Sequence, residues 1–163
     1  MTITDRVVWQ GLEILHTWKA GAALPAGLPV RQVSGVCFAE TGEAVLVSEN
    51  GHAWTLPGGR PEGAETPEQT LAREVMEEAC AEVLACTLLA CTLLGWQRVD
   101  DPREPPYLQL RYAARVRLNG FLPQRETRYR RLVSRQNVPG VLSWGRSPIA
   151  TELLRVALEA DLP

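Results

Sequence analysis

The sequence predicts a domain built on a mixed β-sheet, of the α/β or α+β class, and three observations carry that expectation. Short β-branched runs and helical segments interleave along the chain instead of falling into separate halves. One helix carries a full set of N-terminal start signals. At 163 residues, 45% apolar and 22% charged, the chain is long enough to bury one substantial core without disulfides. The expectation is a single domain over 1–163, with 1–31 an N-terminal extension and linker and 32–163 the core.

Residues 5–19 place Val8, Leu12, Leu15 and Trp18 at helical spacing, yet "VVW" and "EIL" fit a strand equally well, and both remain open. "GAALPAGLP" (21–29) is the clearest linker. "SGVCFAE" and "EAVLVSE" are β-branched runs joined by "TG", which signals a hairpin. "HAWTL" (52–56) is expected as a third strand, stopped by Pro57-Gly58-Gly59. The helix that follows has Thr66 as its cap, Pro67 at its first position and Gln69 completing a capping box. Its apolar members are Leu71, Ala72, Val75, Met76 and Ala79, while Glu74, Glu77 and Glu78 share the opposite face. "LLACTLLGWQRV" and "YLQLRYAARVRL" are expected as long strands. In the second, Leu108, Leu110, Tyr112, Ala114, Val116 and Leu118 face one way, and Gln109, Arg111, Arg115 and Arg117 the other. A last helix starts at Ser147-Pro148.

A formal net charge of −2 argues against a nucleic-acid arm or a membrane-surface patch. The apolar stretches are too short to span a bilayer, and "MTITDRVVWQ" lacks the features of a signal peptide. Cys37, Cys80, Cys86 and Cys91 show no C-x-x-C spacing and are expected to be reduced, mostly buried thiols of a cytoplasmic protein.

The chemistry is carried by "LPGGRPEGAETPEQTLAREVMEEACAEV", residues 56–83. Glutamates at i, i+3 and i+4 repel one another, and Arg73 is the only nearby compensation. A solvated acidic face is the bland reading of such a helix. Against it, carboxylates aimed into one small volume beside a Gly-Gly turn, where a backbone carbonyl can approach closely, suit Mg²⁺ or Mn²⁺.

Gly59, then Glu65 after five residues, then "REVMEEACA" after seven more, resembles the Nudix box, G-x5-E-x7-R-E-U-x-E-E-x-G-U with U a bulky aliphatic residue. Gly59, Glu65, Arg73, Glu74, Val75, Glu77 and Glu78 match in register. Cys80 and Ala81 depart from it, standing where the family has glycine and a larger aliphatic residue. Glycine there would serve a left-handed turn, so either Cys80 tolerates that conformation or the helix exits differently. The resemblance implies an α/β/α sandwich and Mg²⁺-dependent (or Mn²⁺-dependent) hydrolysis of a nucleoside diphosphate linked to another moiety. It implies Glu74, Glu77 and Glu78 as metal carboxylates, the Gly59 carbonyl as a backbone ligand, and Glu65 with Arg73 as the pair orienting loop and helix. A nucleotide-binding module without turnover is the alternative, disfavoured because every charged box position is kept.

Candidate general bases are Glu77 itself, Asp100, Asp101, Glu104 and Glu126. Arg111 on its strand, and the run Arg125, Arg128, Arg130, Arg131 and Arg135, offer phosphate contacts, with Arg111 and Arg128 as the expected substrate-binding residues. Trp96, Tyr107 and Trp144 are candidates for stacking on a base, weighed against ordinary core roles. The region beyond the box has Leu94-Gly95-Trp96-Gln97 where the family's ADP-ribose enzymes tend to carry proline, and Arg98 where its dinucleoside polyphosphate enzymes tend to carry tyrosine. The family's coenzyme A signature ahead of the box is missing as well. A (deoxy)nucleoside triphosphate or a modified nucleotide is therefore the expected substrate class, and nothing in the sequence speaks against a homodimer.

Overall fold

The computed structural model describes residues 1–21, 23–84, 91–160 and 162. The N-terminal segment is a β-hairpin, β1 (Thr2–Trp9) and β2 (Leu12–Ala20), turning at Gln10-Gly11, both at positive φ. Its alternation, with Ile14 and Trp18 buried, resolves the helix-or-strand ambiguity: the period is two. The segment expected as an extension thus adds two strands to the sheet, because β2 pairs with β7 (Cys91–Asp100). The start of the run expected as a strand at 88–90, and Cys86, lie outside the described residues.

β3 (Val30–Phe38) and β4 (Ala44–Ser48) form the expected hairpin. "HAWTL" does not become a strand. Thr55 makes one bridge to Val47 and Trp54 one to Leu142, and the ladder partner of β4 is instead β9 (Tyr129–Val133), an element the sequence reading missed. The Gly-Gly pair expected only as a stop is β5 (Gly58–Gly59), paired with Val33 and Ser34. β6 (Ala81–Val83) and β8 (Tyr107–Leu118) complete the strands. Among the described residues the order is β1-β2-β7-β8-β3-β4-β9, with β3 and β8 parallel and the other pairs antiparallel.

Helix α1 (Pro67–Ala79) starts as expected: Thr66 Oγ1 accepts from the Gln69 amide and the Gln69 side chain accepts from the Thr66 amide. Leu71, Val75 and Ala79 pack on one sheet face with Val33, Val45, Leu108, Leu110 and Val116. Each fully buried aliphatic side chain there contributes about 1.5–3 kcal/mol. Ala72 and Met76, expected on that apolar face, are exposed. The short helix α2 (Val138–Val141) leads to α3 (Pro148–Glu159), capped by Ser147. Ile149, Leu153, Leu154 and Ala157 pack on the other face with Val36, Phe38, Leu46 and Leu94. Helices on both faces of a mixed sheet make the α/β/α sandwich. No helix among the described residues is long and apolar enough to cross a membrane.

Cys80 closes α1 in the left-handed conformation at φ 48°, ψ 46°. Its amide donates to the Met76 carbonyl and its thiol to Leu122 O at 3.2 Å. Arg130 Nη1 donates to the carbonyls of Ala79 (2.8 Å) and Cys80 (3.3 Å), supplying the basic cap that the last helical turn lacks. So Cys80 adopts the turn that the sequence pattern assigns to glycine, with its side chain and a distant arginine holding it there.

Candidate active site

Two local features bring the box residues together. β5 runs beside the inner edge of β3, and α1 crosses just above it. A Cβ on Gly58 would overlap the Val33 carbonyl, and one on Gly59 would overlap the Glu74 carboxylate, so glycine is what allows loop and helix to touch. The Gly58 amide donates to Glu78 Oε2 at 3.1 Å, tying the loop to the last turn of α1.

Arg73 is the organiser. Its Nε and Nη2 grip Glu65 side-on at 2.7 and 3.1 Å, and Nη2 also donates to the Arg60 carbonyl at 2.8 Å. Its Nη1 reaches Glu74 at 2.7 Å and Glu77 at 3.3 Å. Glu65 further accepts from Thr70 Oγ1 and the Glu62 amide. The hydrogen bonds from Arg73 pull the Glu65 carboxyl down to about 2, so it stays ionised at all ordinary pH.

Glu74, Glu77 and Glu78 line one concavity of about 390 Å³ with Glu49, Arg125, Glu126 and Thr127. Arg125 Nη1 lies 2.9 Å from Glu77. Burial pushes Glu78 up to about 7, and the charges of Glu74, Glu49 and Glu77 add to that, against the hydrogen bond from Gly58. Negative charge is thus in excess around Glu78 even with two arginines present.

That excess is the test of whether a divalent cation fits. The donors are hard carboxylate and carbonyl oxygens, and an ion among them would offset both the burial of the Glu78 carboxylate and the repulsion from its neighbours. Among the described residues no three His, Cys, Asp or Glu side chains converge into a ready-made cage. Arg73 and Arg125 draw Glu74 and Glu77 onto themselves, as expected of carboxylates balanced by nearby cations. The donor set fits Mg²⁺ or Mn²⁺ once those carboxylates turn from arginine to metal.

The structure narrows the other candidates. Glu126 joins the carboxylate concavity, as does Glu49, which sequence reasoning missed because it lies outside the box, just after β4. Asp100, Asp101 and Glu104 do not line it. Asp100 is held by Arg98 and Asp101 by Arg103, each in a two-pronged contact, and Glu104 pairs with Arg31. Arg103 lowers Asp101 to about 2, which makes it a poor proton acceptor.

The arginine run is dispersed: Arg125 faces the carboxylates, Arg130 caps α1, Arg131 lies over Trp54, Arg135 lies over Phe38, and Arg128 is exposed. Arg111 is 7% exposed on the α3 face, bonded to Gln32, Ser34 and Gln109, in a different cavity from the glutamates. Trp144 lines that cavity too. Tyr107 lies under Arg31, and the Trp96 indole donates to Ala23 O at 2.8 Å.

Comparison with known proteins places this geometry. The family model described as NUDIX domain matches residues 28–148. A protein of Proteus vulgaris named 8-oxo-dGTP diphosphatase is 52% identical over 43 residues, which is 26% of this chain; the match spans only 38% of that relative's length. Among solved structures, a pyrophosphohydrolase of Bacillus subtilis is 22% identical with a TM-score of 0.67, over 90% of this chain and 94% of that one. A NUDIX hydrolase of Nitrosomonas europaea is 20% identical with a TM-score of 0.61, over 83% and 93%. At these identities the structural likenesses show a shared fold.

Proposed function

The chain belongs to the NUDIX domain family, and from that premise we propose that it is a divalent-metal-dependent pyrophosphohydrolase. Its substrate is a nucleoside diphosphate linked to another moiety, with a (deoxy)nucleoside triphosphate or modified nucleotide as the leading class. The observation that carries this reading is the excess of carboxylate charge around Glu78, against a Gly-Gly loop whose backbone reaches the same point. The segmental likeness to a protein named 8-oxo-dGTP diphosphatase supports the same substrate class.

Glu74, Glu77, Glu78 and the Gly59 carbonyl would hold Mg²⁺, with Mn²⁺ as a substitute; when bound, the ion neutralises phosphate charge and acidifies a water. Glu65 and Arg73 fix the loop against the helix, so the backbone that carries the ligands is in register before substrate arrives. Glu126, across the concavity and outside the box, accepts the proton of the attacking water, with Glu77 as the second candidate. Arg125 lies where its planar fork can leave Glu77 for a phosphate oxygen. Arg128 joins only if its segment closes over the substrate.

A second reading is a nucleotide-binding module without turnover. It draws on the two arginines that already neutralise Glu77. Release of nucleoside monophosphate from a nucleotide panel, with Mg²⁺ and with chelator, separates the two. Metal-dependent release from at least one nucleotide is expected, and binding without release under every condition would overturn the hydrolase reading.

A further inference from the structure

The loop between β8 and β9 brings Arg125, Glu126 and Thr127 into the carboxylate concavity, yet residues 119–128 form no helix or strand. Its two ends are pinned by main chain. The Asn119 amide donates to Cys80 O at 2.9 Å, and the Arg128 amide to Ser48 O at 3.0 Å. Leu122, Pro123 and Gln124 between them are exposed. Arg125 then sits at φ 52°, in the left-handed region that a non-glycine residue keeps only where its surroundings impose it. A loop of this kind needs outside support to hold one path.

Arg130, half-buried on β9, supplies that support. Its Nη1 donates to the carbonyls of Ala79 (2.8 Å) and Cys80 (3.3 Å) at the end of α1, and to Asn119 O (2.9 Å) at the start of the loop. Its guanidinium lies 5.1 Å from the centre of the Phe121 ring. Capping α1 needs only the first two contacts; the other two reach the loop. The Cys80 thiol adds a second tie to the same stretch through Leu122 O at 3.2 Å. One permanently charged side chain thus joins three pieces of the fold. They are β9, where Arg130 pairs with Val47, the helix that carries Glu74, Glu77 and Glu78, and the loop that carries Glu126.

We propose that Arg130 is a positioning residue for the reaction. By tying residues 119–122 to the end of α1, it sets where Glu126 stands relative to Glu77 and Glu78, with Cys80 as the second anchor. The proposal rests on the hydrolase reading in which Glu126 accepts the proton of the attacking water. Neither Arg130 nor Cys80 lines the concavity, so both act through the loop. A general base works only within hydrogen-bond reach of its proton, and a misplacement of about 1 Å costs up to roughly a hundredfold in rate.

The test starts from Arg130→Met, which keeps the side-chain stem and removes the donors. In chelated protein, amide hydrogen exchange across residues 120–126 is expected to speed up about tenfold, with the middle of α1 protected as in the parent. With Mg²⁺ and the best nucleotide of the panel, kcat is expected to fall about tenfold while KM stays within about twofold. In a Glu126→Gln background the same substitution should cost less than about twofold more, because the residue it places is gone. Cys80→Ala keeps a Cβ at the strained position and loses the thiol, so it should repeat the pattern at about threefold. Cys80→Ser, which restores a donor, should recover part of that loss. This pair carries the test if Arg130→Met fails to fold. Unchanged exchange at 120–126, or a kcat loss as large with Glu126→Gln as without it, would overturn the proposal. A parent protein without turnover, or a Glu126→Gln protein with the parent's kcat, would instead sink the hydrolase or the general-base reading. Exchange at 120–126 reads the tie independently of either.

Discussion

The two faces of the sheet handle charge in opposite ways. On the α1 side, acids crowd around Glu78 and arginines come to them: Arg73 from within the helix and Arg125 from the loop before β9. On the α3 side Arg111 is buried, and among the described residues no carboxylate forms an ion pair with it. The first arrangement keeps an excess of carboxylate charge even with two arginines among the acids. The second is a planar cation held by neutral oxygens. The comparison shows charge of opposite sign left over on the two faces, carboxylate on one and guanidinium on the other.

The sharpest way to break the comparison is at Glu78. Glu78→Gln is expected to lower kcat/KM on the order of a thousandfold, since a metal-binding carboxylate supplies several kcal/mol in the transition state. The same variant bears on pH. Glu78 sits at about 7 in the fold against an ordinary 4.5, so the folded form holds the proton more tightly. Its contribution to stability is therefore full below pH 4.5 and is lost as pH rises through 7. Chelated protein should lose stability between pH 5 and 8, on the order of 1–2 kcal/mol from this group, and Glu78→Gln should flatten that slope in thermal melts.

Arg73→Ala comes next. It leaves Glu65, Glu74 and the Arg60 carbonyl without their common partner, so loop and helix lose registration. A fall in kcat/KM of roughly a hundredfold is expected from such misplacement, read by steady-state kinetics at fixed Mg²⁺.

Arg125→Ala against Arg128→Ala sharpens the phosphate side. Steady-state kinetics should show KM rising about tenfold for the first, the scale of one charge-assisted contact. The second should stay within about twofold unless its segment closes on substrate. The smallest effect is expected for Cys80→Gly. Relief of the left-handed conformation, worth about 1 kcal/mol, is offset by the buried thiol contact to Leu122 O, leaving stability within about 1 kcal/mol by denaturant melts.

The α1 side was legible in the sequence because its information is local. Thr66, Pro67 and Gln69 define the helix start within four residues, and Glu65, Arg73 and the glutamates lie within one helix and its leading loop. What was missed depends on partners distant in the chain. β9 pairs with β4 across some eighty residues, which took the ladder position expected for "HAWTL". Arg130 looked like surface charge until the fold put it on the end of α1. Arg111 kept its alternation but not its exposure, because α3 and the hairpin cover its face. The hairpin itself was ambiguous, since Val8, Leu12, Leu15 and Trp18 satisfy helical spacing by coincidence while "VVW" and "EIL" fit a strand equally well.

The central claim is that the carboxylate concavity is a divalent-metal hydrolytic site, and titrating Mg²⁺ into chelated protein tests it most directly. Thermal stability and release of nucleoside monophosphate from the best nucleotide of the panel are read on the same samples, for the parent protein and Glu78→Gln. Mg²⁺ is predicted to raise the melting temperature and switch on monophosphate release in the parent protein and to do neither in Glu78→Gln. Monophosphate release that persists in chelator, or a Glu78→Gln protein that responds to Mg²⁺ like its parent, would contradict the account.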